Sequence, residues 1–289
     1  MNSVLERADL ATLWLLGNPV SHSLSPLIQN RALQQLGSKA VYLAARVEEE
    51  NFESVVRALP KLGAVGANVT VPHKERAFRV CDRVSDRAQA MGAVNTLLFR
   101  GQEIYGDNTD GAGWWRSLGQ RCFERAVVIG AGGAARAVCY TLLTQGVSRL
   151  ALLNRTLSRA EALRSELSSA TPDGGRIEVF SLDRFPELLQ SNTLVVQTTS
   201  VGLEGDLSPV PLPESLPTGV LLSELIYART TALMACFQEL GGEVQDGLGM
   251  LCAQGAESLA LWLGLEFEEI PLQMMLEVAR ERVLGARDV

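Results

Sequence analysis

Gly130, Gly132 and Ala135 stand where an apolar run, AVVIG, meets a helix-like run, GAARAV. That spacing suits the pyrophosphate of a dinucleotide. The first glycine permits a tight turn, the second lets the backbone approach the phosphates, and a small third residue allows helix and strand to pack closely. The backbone from Gly130 through Ala131, Gly132, Gly133 and Ala134 then presents its amides at a helix N-terminus, where an anion is favoured. The next apolar run ends in Leu153-Asn154-Arg155-Thr156. A carboxylate at that point would accept a free ribose 2′-hydroxyl. Here the residues are Asn154, Arg155 and Thr156, with Arg159 one turn later, and a pair of guanidinium groups suits a 2′-phosphate. The predicted cofactor is NADP.

A dinucleotide that carries hydride needs a partner residue able to move a proton on the substrate oxygen. The chain has two histidines, His22 and His73, and His73 is followed by Lys74 in NVTVPHKE. Lysine can serve in this role where burial or neighbouring charge shifts its affinity for protons. By residue type alone both His73 and Lys74 stand as candidates, while Asp110, Ser23 and Ser25 read as turn or cap residues.

Taken in order, GNPVSHSLSP (17–26), GANVTVPHK (66–74), GAVNT (92–96), GDNTDGAG (106–113), GAGGAAR (130–136), NRTLSRA (154–160) and GLGMLCAQGA (247–256) resemble the shikimate dehydrogenases over nearly the full length. The resemblance implies reversible NADPH-dependent reduction of 3-dehydroshikimate to shikimate, on the way to chorismate and the aromatic amino acids, without a metal. It assigns Lys74 and Asp110 as the catalytic pair. Ser23 and Ser25 would bind the substrate carboxylate, and Thr70, Asn95 and Gln254 the ring hydroxyls. Tyr227 would contact substrate near the cofactor, with Leu225 and Gly247 on the nicotinamide side. His22 is expected in a structural turn and His73 as a lining residue. Two segments depart from the family's usual pattern. Gln197-Thr198-Thr199-Ser200-Val201-Gly202-Leu203 replaces Asn-Thr-Thr-x-x-Gly-Met, and Glu224-Leu225-Ile226-Tyr227-Ala228-Arg229-Thr230-Thr231-Ala232 lacks the proline and the final threonine of Asp-x-x-Tyr-x-Pro-x-x-Thr. Both lie on the cofactor side, so altered turnover is expected there before altered substrate choice. The alternatives are a paralogue of weak activity or one acting on quinate or a related polyol, and an NADP-binding protein without chemistry. Ser25 and Arg155 point away from the quinate reading, and retention of Lys74 with Asp110 points away from the last.

The elements that must position these residues are those of two α/β domains. From residue 12 to about 100, short apolar runs (TLWLLG, AVYLAARV, GANVTV, NTLLF) alternate with helix-like stretches (SPLIQNRALQQLG, EENFESVVRALPKLG). Ser25 is expected to cap the first helix, with Pro26 at its first position and Gly37 just past its end. A second series, RAVVIG, RLALLNR, IEVFSL, TLVVQTTS and VLLSELIY, predicts a Rossmann-type NADP-binding domain over 110–245. The substrate domain is expected at 1–109, with two amphipathic helices in 246–289 returning to it.

The chain is 289 residues long with a formal charge of −7, which opposes a nucleic-acid-binding surface. Five cysteines without CxxC spacing argue against a disulfide framework or structural zinc. The opening MNSVLERADL lacks the form of a secretion signal, and no apolar run reaches the roughly 18 residues that span a bilayer. The expectation is a cytoplasmic enzyme with a small-molecule substrate, no nucleic-acid or membrane partner, and a monomeric or homodimeric state.

Overall fold

The computed structural model describes residues 11–119, 121–171, 176–227 and 229–285. The opening segment judged against a secretion signal, residues 1–10, lies outside the described residues, as does Ala228. The chain divides into two compact units, Met1–Thr109 with Cys252–Val289, and Asp110–Leu251.

The first unit holds β1 (Thr12–Gly17), α1 (Ser25–Gln35), β2 (Val41–Arg46), α2 (Phe52–Ala58) and β3 (Ala64–Val69). It continues through α3 (Lys74–Val80), β4 (Arg83–Val84), α4 (Asp86–Met91), β5 (Thr96–Arg100) and β6 (Glu103–Asp107). Its six strands run in the order β2-β1-β3-β5-β6-β4. The pairs β1–β2 and β1–β3 are parallel, whereas β3–β5 and β5–β6 are antiparallel. The mixed sheet was not foreseen. Gly101, at φ +63°, and Gln102 close a two-residue hairpin, with Arg100 opposite Glu103. The strand that follows, EIYGD, has too few apolar residues to stand out in the sequence.

The second unit holds α5 (Asp110–Ser117), β7 (Arg125–Ile129), α6 (Gly133–Thr144), β8 (Arg149–Leu153), α7 (Leu157–Ala170) and β9 (Ile177–Phe180). Then come α8 (Phe185–Leu188), β10 (Thr193–Gln197), β11 (Leu221–Glu224), α9 (Ala232–Glu239) and β12 (Glu243–Gln245). All six strands are parallel, ordered β12-β11-β10-β7-β8-β9. This is the doubly wound Rossmann order, whose direction reverses between β7 and β10. Alternate residues of β7 feed the two faces. Ala126 and Val128 join one buried cluster with Val138 and Leu142 of α6, while Val127 and Ile129 join another with Leu233 and Phe237 of α9.

The chain ends in α10 (Leu248–Leu263), which crosses from the second unit into the first, and α11 (Leu272–Gly285). α10 is not amphipathic as expected. Cys252, Ala253, Ala256, Ser258, Leu259 and Trp262 are all buried, so the helix is enclosed on most sides. Trp262 Nε1 donates to Leu97 O at 2.8 Å, and Gln29 Nε2 of α1 donates to Gly255 O at 2.9 Å. Two other local expectations also need correction. Leu24, not Ser25, is the cap of α1; Ser25 is already helical, and Ser23 Oγ accepts its N–H at 3.2 Å. Gly37 does end the helix region at φ +65°. The stretch EENFESVVRALPKLG is three pieces rather than one helix, because Pro60 cannot donate to an α-helical ladder and a 3₁₀ turn takes over from Leu59 to Leu62.

The close approach of α10 to the sheet depends on Gly66. A Cβ there would lie 2.2 Å from Trp262 Nε1 and 2.4 Å from Leu97 O. Gly66→Ala should therefore destabilise the protein by about 1–3 kcal/mol through overpacking. A urea melt checks this, and an unchanged midpoint at constant slope would show that α10 does not need this contact.

Candidate active site

At the switch point of the parallel sheet, β7 is followed by Gly130, whose φ of +113° no β-carbon-bearing residue adopts easily. A Cβ there would also sit 2.5 Å from Thr198 Oγ1 and 2.9 Å from Thr199 Cγ2. Gly130 N donates to Leu153 O at 2.7 Å, and Thr198 Oγ1 donates to Ile129 O at 2.6 Å, so the ends of β7, β8 and β10 are tied together. The next two glycines differ. No atom lies within 4 Å of a Cβ built on Gly132 or Gly133. Their lack of side chains is not needed by the protein's own packing and leaves backbone N–H groups open at the start of α6, flanked by the half-buried Ala131 and Ala134. Ala135 behind them is fully buried.

Beyond β8, Asn154 Nδ2 donates to Thr156 O at 2.8 Å and shapes the turn into α7, of which Thr156 is the cap. Arg155 and Arg159 are exposed there. Nearby Arg136 and Arg164 pair with Glu166 and Glu161. Arg155 and Arg159 have no carboxylate partner among the described residues, which leaves two cations for an anionic ligand. The open glycine turn and this arginine pair fit NADP.

The ends of β10 and β11 complete this edge, where Gln197 and Glu224 are register partners. Gln197 folds back on its own loop. Its Oε1 accepts Thr199 N at 2.5 Å, and its Nε2 donates to Thr199 O at 3.2 Å and Val201 O at 3.0 Å. Glu224 is fully buried. Its carboxylate accepts Ile226 N at 3.2 Å and Thr231 Oγ1 at 3.1 Å, while Thr231 Oγ1 in turn caps α9 by accepting Met234 N at 3.2 Å. Burial pushes the Glu224 carboxyl up to about 7 against the pull of these donors. Leu225 and Tyr227 follow, both half-buried. A Cβ on Gly247 would lie 2.0 Å from Leu225 O, so only glycine admits this close passage.

In the first unit, Thr70 sits against Gly17, where a Cβ would meet Thr70 Cγ2 at 2.2 Å. Thr70 O accepts His73 N at 3.0 Å and turns the chain into α3. Lys74 opens that helix, half-buried, and its carbonyl accepts Val94 N at 2.9 Å. His73 is not a lining residue. It is fully buried, stacks on Phe52 with ring centroids 4.6 Å apart, and donates from Nε2 to Val47 O at 2.7 Å. His22 is exposed in the turn before α1, near the half-buried Ser23, whereas Ser25 is buried.

Asn95 lies in a buried knot of uncharged groups that sequence reading missed. Its Oδ1 accepts Thr109 N and Thr96 Oγ1, each at 2.9 Å, and its Nδ2 donates to Thr109 Oγ1 at 3.0 Å and Gln254 Oε1 at 3.4 Å. Ser258 Oγ is 2.8 Å from Thr96 Oγ1, and Asn68 Nδ2 donates to Ser258 Oγ at 2.9 Å. Tyr42 closes the set by donating to Asn68 Oδ1 at 2.8 Å. Thr109 is the residue before Asp110, so the knot fixes the backbone from which Asp110 starts. Next to it, Arg87 forms two bonds to Asp107, at 2.7 and 2.6 Å, and Ser85 Oγ donates to the same carboxylate at 2.5 Å. Burial works to raise the Asp107 carboxyl, but Arg87, Ser85 and the Asn108 amide together hold it below the usual carboxylate range. No cluster of side chains able to hold a metal exists among the described residues.

Residues 15–97 match the family described as "Shikimate dehydrogenase substrate binding domain", and residues 117–203 match "Shikimate / quinate 5-dehydrogenase". The chain is 37% identical to the shikimate dehydrogenase (NADP(+)) of Methanopyrus kandleri, over 97% of its own length and 99% of that protein. A crystal structure of a shikimate dehydrogenase in complex with NADP+ superposes with a TM-score of 0.86 at 31% identity, covering 96% of this chain and 97% of the other. The Thermus thermophilus shikimate 5-dehydrogenase in complex with NADP(H) and shikimate superposes with a TM-score of 0.83 at 34% identity, covering 94% and 99%.

The Asp107 geometry sets a sign for acid stability. A carboxyl lowered in the folded state stabilises the protein above its unfolded value, near 3.8, and loses that contribution as pH falls through the lowered folded value. Asp107→Asn should cost roughly 1–3 kcal/mol at neutral pH, because Arg87 loses its nearer carboxylate and keeps only Glu257, at 3.9 Å. The difference from the parent should shrink below pH 3.8 in urea melts. A difference independent of pH would assign the loss to packing instead.

Proposed function

This chain belongs to the shikimate dehydrogenase family, and from that premise we propose which of its residues carry the reaction. The protein catalyses the reversible NADPH-dependent reduction of 3-dehydroshikimate to shikimate, a step toward chorismate and the aromatic amino acids. When bound, NADP supplies or takes the hydride exchanged with the substrate carbon. The amides of Gly130–Ala134 receive its pyrophosphate. Asn154, Arg155, Thr156 and Arg159 receive the adenosine end, and the two guanidinium groups select for the 2′-phosphate.

Lys74 exchanges the proton on the reacting oxygen, and Asp110 holds and polarises the same hydroxyl. Ser23 and Ser25 donate to the substrate carboxylate. Thr70, Asn95 and Gln254 meet the ring hydroxyls, Tyr227 contacts the substrate near the cofactor, and Leu225 and Gly247 flank the nicotinamide. The knot around Asn95 is the observation that carries this assignment. Its bond to Gln254, at 3.4 Å, is longer than those to Thr109 and Thr96 and is the one a ring hydroxyl replaces at least cost. The shorter bonds to Thr109 and Thr96 keep the amide oriented meanwhile. Selectivity then follows from the bond gained: a substrate lacking a hydroxyl here leaves Asn95 on Gln254 and forgoes a hydrogen bond worth about 0.5–1.5 kcal/mol.

The enzyme works in the cytoplasm, as a monomer or homodimer, without nucleic-acid or membrane partners. All five cysteines are free, which supports a reducing compartment, and no helix among the described residues is long and apolar enough to cross a membrane.

Initial rates with shikimate and quinate, each with NADP and NAD, test the reading. Fast reduction with shikimate and NADP is expected. Lys74→Ala should lower kcat by about 10²–10⁴-fold with little change in NADP affinity. Retained turnover would remove the lysine from the chemistry. Arg155→Ala should raise KM for NADP by roughly 10–100-fold and leave KM for NAD nearly unchanged, as expected for a lost charge-assisted phosphate contact. An equal effect on both cofactors would refute the phosphate role.

A further inference from the structure

Two carboxylates are buried among the described residues. Asp107 is neutralised by Arg87, but Glu224 faces no cation. It sits instead between two loops at the cofactor edge. One leaves β10 and is gathered by Gln197 through Thr199 and Val201; the other leaves β11 and carries Leu225 and Tyr227. Glu224 is bonded to the second loop through Ile226 N, reaches Thr231 at its far end, and lies in register with Gln197 at the root of the first. The Glu224 carboxylate spans its loop from Ile226 to Thr231.

We propose that Glu224 is a positioning residue for the nicotinamide half of NADP, acting through Ile226, Thr231 and Gln197 to hold the loops after β10 and β11 in their binding form. This rests on the reading that the edge holds NADP. As a carboxylate, Glu224 accepts at both oxygens and clamps the loop at both ends. As an acid, one oxygen must donate. Thr231 Oγ1, already accepting Met234 N, must then turn its own proton elsewhere, and the clamp loses an acceptor. The surroundings leave this switch to burial and neutral donors. Arg229 on the same loop pairs with Asp206, and Glu243 of β12 pairs with Arg121. Glu239 is at the opposite end of α9, and Glu204 is exposed beyond the first loop. The position of the carboxyl near 7, rather than in the usual carboxylate range, places the change between the two forms in the working range of an enzyme.

The test is the NADPH dissociation constant, read by cofactor fluorescence from pH 6 to 9, for the parent and for Glu224→Gln, whose amide imitates the acid form. The parent should bind roughly fivefold more tightly at pH 9 than its acid form allows, the worth of one hydrogen bond. Glu224→Gln should lack that limb and bind weakly throughout, with KM for shikimate unchanged. The 2′-phosphate itself titrates near pH 6, as phosphate monoesters do, and its limb remains in both proteins. A second variant, Thr231→Val, removes a donor that favours the carboxylate and should move the limb to higher pH. A limb of equal size in Glu224→Gln, or an unmoved limb in Thr231→Val, would overturn the proposal. A parallel assay without shikimate turnover from any variant would sink the functional reading while leaving the binding result to stand or fall alone.

Discussion

The first unit is organised around hydrogen bonds that must be made among uncharged side chains inside an apolar core. Asn68 on β3, Thr96 on β5, Thr109 after β6, and Ser258 with Gln254 on α10 satisfy one another, with Asn95 at the centre. An amide or hydroxyl buried without a partner costs about as much as a lost hydrogen bond or more, so these elements cannot shift independently. Because no member is charged, the arrangement does not depend on pH. Lys74 on α3 and the start of α5 at Asp110 take their backbone positions from strands tied into this knot. The charged pair Arg87–Asp107 is set beside it rather than within it.

The second unit is organised by a steric constraint instead. The parallel strands β7 and β10 lie side by side where the sheet reverses direction, and Thr198 closes onto Ile129 O, so the residue after Ile129 has room for no side chain. Gly130 answers that constraint, whereas Gly132 and Gly133 answer none within the protein. Their surroundings are empty of the protein's own atoms. The same edge then runs to Gln197 and Glu224, where neutral and acidic side chains manage loop amides that a sheet end leaves unpaired.

Features set by residues close in sequence were readable without coordinates. Five of the six strands of the parallel second sheet show as apolar runs at βα spacing, β12 being too short and polar to stand out, and the glycine turn with its absent carboxylate at Asn154 spells out the NADP preference within about one strand and one turn of chain. What escaped was set at long range or by small differences in propensity. Asn68 and Ser258 are 190 residues apart, and nothing near either residue signals the other. α10 reads as amphipathic because Gln254, Glu257 and Ser258 interrupt its apolar residues, yet Ser258 is polar in order to complete a buried network. His73 attracts attention as a titratable group beside Lys74, but Phe52 and Val47, both distant in sequence, enclose it. Ser25 has the composition of a cap, while the cap itself falls to Leu24 because Ser23 already accepts the Ser25 amide.

The discontinuity of the first unit has a consequence for how the chain comes into being. Its sheet is complete by Asp107, but the helix that fills one side of it and supplies Trp262, Ser258 and Gly255 arrives only after Cys252. A ribosome releases residues in order, so Asn68 and Gln29 emerge long before the groups that satisfy them. The second unit, Asp110–Leu251, is one uninterrupted stretch and meets no such delay. During synthesis the middle of the protein can therefore settle first, and the half that carries Lys74 waits, incompletely packed, for the last segment to be translated.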